Sequence, residues 1–184
     1  MKKFHILFSF FFITIASSQN LEVDKRNGFK DIKLGDHISM FEGIKEAPFD
    51  YPTKIIGLWN TTDENLGYFF DDKVDYFELT FDRTTKKLIS ISVVLLIKKP
   101  YSDPSVLKKY KEINSKLIIA LGSPSSVGEK TISLSWFGNN VMMSFSLNSE
   151  QIKFDEDANA IGLTSLKFLI MSKKNIKENV KKGF

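Results

Sequence analysis

The chain contains no cysteine. That excludes disulfides, thiolate metal ligands and the lipid-bearing cysteine of a bacterial lipoprotein. Histidine is nearly as scarce, with only His5 and His37; His5 falls in an N-terminal leader expected to be removed, which leaves no pair to ligate zinc in a His-rich catalytic arrangement. A Ser-His-Asp triad would have to use His37, and no Gly-x-Ser-x-Gly elbow accompanies it. Neither Gly-x-Gly-x-x-Gly nor a P-loop pattern occurs, which argues against nucleotide use. Arg26 and Arg83 are the only arginines, so the residue best suited to bidentate phosphate recognition is almost missing. No cofactor is expected.

What is present begins with MKKFHILFSFFFITIASSQN. Two lysines, an apolar run from Phe4 to Ala16 and the small residues Ala16-Ser17-Ser18 follow the layout of a secretory signal peptide. The run falls short of the ~20 apolar residues of a transmembrane helix. Residues 1–18 are therefore expected to be removed after Ser18, leaving an exported, periplasmic or extracellular chain without an integral membrane span. The formal net charge of +4 is uneven. The leader holds +2 and the basic tail, residues 173–184, holds +4, so the body between them is about −2 by subtraction. A nucleic-acid-binding domain would carry its basic face on the fold itself, so no nucleic-acid partner is expected.

Residues 19–30 read as a loose polar segment. Asp36 is positioned to cap a short helix bearing Ile38, Phe41 and Ile44. Strands are predicted over Lys54–Asn60, Asp75–Arg83, Leu88–Lys98, Thr131–Phe137, Val141–Leu147 and Ile161–Met171. The clearest is DYFELTFDR, with Phe77, Leu79 and Phe81 on one face. In the next strand Ile89, Ile91, Val93, Leu95 and Ile97 share a face, and Val94 and Leu96 replace the serines opposite. Cover on both sides there points to a central position. Gly138-Asn139-Asn140 reads as a hairpin turn built on residues that tolerate positive φ. The clearest helix follows Asp103-Pro104, ends at Gly122 with Pro124, and carries the stripe Val106, Tyr110, Ile113, Leu117, Leu121.

Helix then strands occurs once before Pro100 and once after it. The expected fold is α+β: one domain over 19–172, with two tandem helix-plus-strand units at about 34–99 and 102–172. Together these would form a mainly antiparallel sheet with helices on one face. The entry IKLGDHISMFEGI and the stretch LIIALGSPSSVGEKTISLSW, with Leu-Gly-x-Pro before a Trp-bearing strand, resemble envelope proteins of the SmpA/OmlA type and the related β-lactamase-inhibitor-protein fold. That resemblance implies a non-catalytic, protein-binding role outside the cytoplasm.

Three sets of residues are candidates for chemistry or binding. Asp72, Asp75 and Glu78 are the carboxylates from which a glycosidase-like pair could be drawn. Asp155, Asp157 and Asn159 imitate the start of a calcium loop, but Ala160 and Leu166 stand where an EF-hand needs Gly and Glu. Trp59, Tyr68, Tyr76, Tyr101 and Trp136 are the aromatics best placed to bind a partner. Three functions follow. The first is an exported non-enzymatic module that binds another protein in the envelope or outside the cell. The second is a secreted hydrolase or carbohydrate-active enzyme. The third is a small-ligand binder, for lipid or sugar, with an apolar pocket between helix and sheet.

Overall fold

The structure is a computed structural model describing residues 23–48, 51–128, 132–149, 153–154, 160–161 and 163–174. The leader, the calcium-like stretch 155–159 and the tail from 175 onward lie outside the described residues.

In chain order, β1 (Gly28–Phe29) and β2 (Ile32–Lys33) form a ribbon, followed by a 3-10 turn at Ile38–Met40. Next come β3 (Lys45–Glu46), β4 (Lys54–Trp59), and the hairpin of β5 (Tyr68–Phe69) with β6 (Asp72–Lys73). Strands β7 (Tyr76–Asp82) and β8 (Leu88–Ile97) precede helix α1 (Pro104–Leu121). Then follow β9 (Ser126–Val127), β10 (Ser133–Phe137), β11 (Val141–Ser149), the pair β12 (Lys153–Phe154) and β13 (Ala160–Ile161), and β14 (Thr164–Ser172). Eight strands make one antiparallel sheet in the order β3-β4-β7-β8-β14-β11-β10-β9. The strand expected to be central, β8, does lie in the middle, and Val94 is fully buried between Tyr76 and Lys167 in register.

The tandem α+β expectation is overturned. The chain is mainly β, with one eight-stranded antiparallel sheet and one full α-helix among the described residues. The helix expected after Asp36 is only the three-residue 3-10 turn. Ile38, Phe41 and Ile44 recur every third residue, which suits the three residues per turn of a 3-10 helix better than the 3.6 of an α-helix. His37, not Asp36, caps it by accepting the Ser39 N–H at 3.3 Å. Asp36 instead accepts the Lys33 N–H at 2.7 Å. Gly43, at φ 73°, turns the chain into edge strand β3.

Helix α1 follows its sequence signals closely. The Asp103 carboxylate accepts the Ser105 N–H at 2.8 Å, and Pro104 occupies the first turn, where its missing N–H costs nothing. Gly122, at φ 81°, ends it. The whole stripe Val106, Tyr110, Ile113, Leu117 and Leu121 is buried. Tyr110 stacks flat on Phe145 of β11, with ring centroids 4.9 Å apart and planes 4° from parallel. Burial pushes the Tyr110 hydroxyl above its ordinary pKa, with a smaller contribution from Tyr101.

On this face the sheet contributes Phe77, Leu79 and Phe81 of β7, Ile91 and Val93 of β8, Phe145 of β11, and Leu166 and Phe168 of β14. One inward residue of β8 differs from expectation. A register shift beside Phe81 pairs that residue with Leu88, so Leu88 is buried at 2% exposure while Ile89 is only half-buried. Such a bulge moves one residue off the alternating pattern.

Within the segment expected to be loose, residues 23–30 are held against the fold. Val23 is completely buried, and the Asp24 carboxylate accepts N–H groups from Asn139 at 2.7 Å, Asn140 at 2.8 Å and Val141 at 3.0 Å. The β10–β11 turn is therefore held by a distant carboxylate. Neither its Gly nor its two Asn residues adopt positive φ. Burial alone would raise the Asp24 pKa, but those three N–H groups and the Lys173 ammonium outweigh it and hold the carboxyl below its ordinary range.

Candidate ligand-binding cleft

The core does not close completely at the C-terminal end of α1. A cleft of about 420 Å3 opens there, within the usual range of ~300–1,000 Å3 for ligand pockets. Its floor is the inner face of the sheet: Met143 of β11 with Phe168 and Ile170 of β14. One wall is the last turns of α1, through Leu117, Ala120 and Leu121. Another is the β5–β6 hairpin, through Phe69 and Phe70. The third is the segment Lys25–Lys33 with the β1–β2 ribbon.

An aromatic ladder stiffens this lining. Phe69 stacks on Phe168 with centroids 5.1 Å apart and planes 22° from parallel, and it contacts Phe29 at 5.9 Å and Phe70 at 4.9 Å. Gly28 lets the ribbon close, because a Cβ there would overlap the Ile32 carbonyl oxygen and come within 2.9 Å of Lys33 Cα.

Of the three non-glycine residues with positive φ among the described residues, two line this cleft: Lys30 at 51° and Phe70 at 55°. A bulky residue in the left-handed region persists only where its surroundings over-determine it, and such positions cluster at functional sites. For Phe70 the restraint is visible. Asp71 pairs with Lys116 at 2.6 Å and Asp72 with Lys109 at 2.6 Å, so adjacent carboxylates fasten the hairpin turn to α1. Glu112 joins both lysines into one chain, at 3.6 Å from Lys109 and 3.2 Å from Lys116. The hydrogen bond from Lys116 lowers the Asp71 pKa, and the one to Asp72 raises that of Lys109. Lys116 also sits 5.8 Å from the Phe70 ring centroid.

The rim is strongly one-signed. Lys25, Arg26, Lys30 and Lys33 line the cleft, and among the described residues no carboxylate does. Lys30 donates to the Asn65 carbonyl and Lys33 to the Lys30 carbonyl, which leaves further N–H groups on both ammonium ions. Neither lysine forms an ion pair among the described residues. A second depression, of about 550 Å3, lies by the β7–β8 turn. There Asp82 is already occupied by the Thr85 N–H and hydroxyl, at 2.7 and 2.9 Å, and no aromatic residue lines it.

The residues singled out from sequence lie elsewhere. Trp136 is fully buried, donating its indole N–H to the Gly122 carbonyl at 2.9 Å. Trp59, on β4 and so three strands from β14 of the floor, is partly buried, donating to the Glu42 carbonyl at 2.9 Å and packing edge-on against Phe41. Tyr68 and Tyr101 are exposed, and Tyr76 lies half-buried on the outer face of β7. The three carboxylates do not converge. Asp72 turns to α1, Asp75 accepts the Leu96 N–H at 2.6 Å, and Glu78 meets Lys167 at 3.4 Å on the sheet face away from α1. Among the described residues no group of three or more His, Asp or Glu residues could hold a metal. Likewise, no described helix is long and apolar enough to cross a membrane.

The cleft itself was not read from the sequence beyond an apolar pocket between helix and sheet. Its one local signal is the run Lys25 to Lys33, where four cations alternate with the apolar Phe29 and Ile32. No family model, curated protein or solved structure matches the chain. Function must therefore be read from the cleft.

Proposed function

We propose that this is an exported, non-catalytic binding protein that holds a small apolar or amphipathic molecule in the cleft between α1, the β5–β6 hairpin and the sheet. The observation that carries this reading is an aromatic-floored recess of about 420 Å3, flanked by two residues in left-handed backbone conformation. Export rests on the leader, which has the n-region, h-region and small-residue site of a signal peptide. The separation of Asp72, held to α1 on the β5–β6 hairpin, from Asp75, bound to the Leu96 N–H, and Glu78, paired with Lys167, favours binding over hydrolysis.

The test is fluorescence of the neutral probe N-phenyl-1-naphthylamine with the mature chain. Emission should rise on binding, and Ala120→Trp, which fills the helix wall of the cleft, should abolish the rise while the far-UV circular dichroism stays the same. Absence of probe binding, or binding indifferent to Ala120→Trp, would overturn the reading. A second reading is a protein partner in the envelope or outside the cell, as the SmpA/OmlA resemblance implies. Phe70 of the cleft lining and Tyr68 on the same hairpin, exposed by 39% and 48%, favour it as aromatic anchors. Cross-linking in envelope extracts, wild type against a Tyr68→Ala/Phe70→Ala variant, separates it from the first.

A further inference from the structure

Resting on that reading of the cleft, we infer that its ligand is a single-chain aliphatic carboxylate, with the chain on the Phe69–Phe168 floor and the head at Lys30 and Lys33. Three observations lead there. Size limits the ligand to one chain: a methylene takes about the ~30 Å3 share of a water molecule, so 420 Å3 admits on the order of a dozen carbons. Lining chemistry sets the tail, because the floor and helix wall are aromatic or aliphatic throughout. Charge sets the head. Every ionised residue at the rim, among the described residues, is a cation, on a body whose net charge is slightly negative.

Lys30 and Lys33 are both exposed, and their ammonium groups have N–H groups to spare and form no ion pair among the described residues. An incoming carboxylate supplies the missing counter-charge while its chain leaves water. A neutral alcohol would bury the same chain and leave Lys30 and Lys33 without a counter-charge, and an amine would be repelled. Lys30 and Lys33 act as point charges without a planar fork, so they hold the head by charge and not by bidentate geometry.

The experiment is displacement of N-phenyl-1-naphthylamine by laurate, dodecanol, dodecylamine and dodecyl phosphate, each below its aggregation threshold. Laurate should compete at least about tenfold more tightly than dodecanol, and dodecylamine least well. Across shorter carboxylates, affinity should fall about fourfold per methylene removed. Lys30→Ala/Lys33→Ala should bring the laurate-to-dodecanol preference close to one. Lys108→Ala/Lys111→Ala, on the exposed side of α1, should retain it and so control for net charge.

Equal competition by laurate and dodecanol overturns the assignment of the head while leaving the cleft reading intact. So does tighter binding of dodecyl phosphate than of laurate. A preference surviving in Lys30→Ala/Lys33→Ala also overturns it. If the probe itself does not bind, both readings fall.

Discussion

The Asp24 carboxylate and the Asn139 amide, 115 residues apart in the chain, meet at 2.7 Å. The same carboxylate takes the N–H groups of Asn140 and Val141, so one side chain satisfies three donors of the β10–β11 turn. It also pins the start of the described chain beside Met143 and Ile170, where the cleft has its floor. The N-terminal segment is thereby a structural wall of the site.

Asp24→Ala should therefore destabilise the protein by about 2 kcal/mol, in the range of hydrogen bonds to a charged group left without replacement. Urea unfolding at neutral pH measures this. An unchanged midpoint would show that the turn does not depend on Asp24.

The same pair makes stability depend on pH. The Asp24 pKa is lowered in the folded state, so its contribution is present above the unfolded carboxyl value of about 3.9 and is lost as pH falls through the lower folded value. The midpoint difference between wild type and Asp24→Ala should thus be full at pH 7 and shrink below pH ~3.9. A constant difference down to acid pH would contradict the assignment.

Trp136→Phe should cost about 2–3 kcal/mol, by combining a smaller ring in a fully buried site with loss of the N–H donated to the Gly122 carbonyl. Denaturant titration followed by circular dichroism tests it. A cost below ~0.5 kcal/mol would mean that the helix end does not depend on this bond.

Gly28→Ala should open the β1–β2 ribbon, because the new Cβ meets backbone atoms of Ile32 and Lys33 that cannot swing aside. The rim lysines would be displaced with it. Probe binding should weaken more than overall stability, since the ribbon is only two residues long on each side. Unchanged probe affinity would separate the ribbon from the site.

Lys109→Met/Lys116→Met removes the ion pairs that tie Asp71 and Asp72 to the helix. The Asp71–Lys116 pair is exposed on the carboxylate side and contributes little, whereas Asp72 is only 20% exposed, so the unfolding midpoint should fall chiefly through the loss of Lys109. The hairpin that holds Phe70 should loosen and probe affinity should fall. Retained affinity would show that hairpin packing through Phe69 suffices.

The contrast between α1 and the 3-10 turn shows what local pattern can carry. Asp103, Pro104, Gly122 and five apolar residues at helical spacing act within a few residues of one another, so the helix and its buried face could be read directly. The alternation in DYFELTFDR and its neighbours did the same for the long strands, because side chains reverse face at every residue. Three apolar residues at threefold spacing after Asp36 were a weaker signal, and the missing helix there removed the tandem arrangement.

Sequence by itself determined the absence of thiol chemistry, the long strands, the helix and its inward stripe, since these depend on composition and short-range periodicity. Only the tertiary structure decided the order of strands in the sheet, the docking of residues 23–33 and the existence of the cleft. Val23 and Asp24 look like part of a polar tether until the β10–β11 turn is brought against them. Lys30 and Lys33 look like ordinary solvated charges until Phe69, Phe168 and Leu117 form an apolar recess behind them. The physical reason is range: propensity and alternation act between neighbours, whereas a cleft is made by surfaces more than a hundred residues apart that pack without filling the space between them.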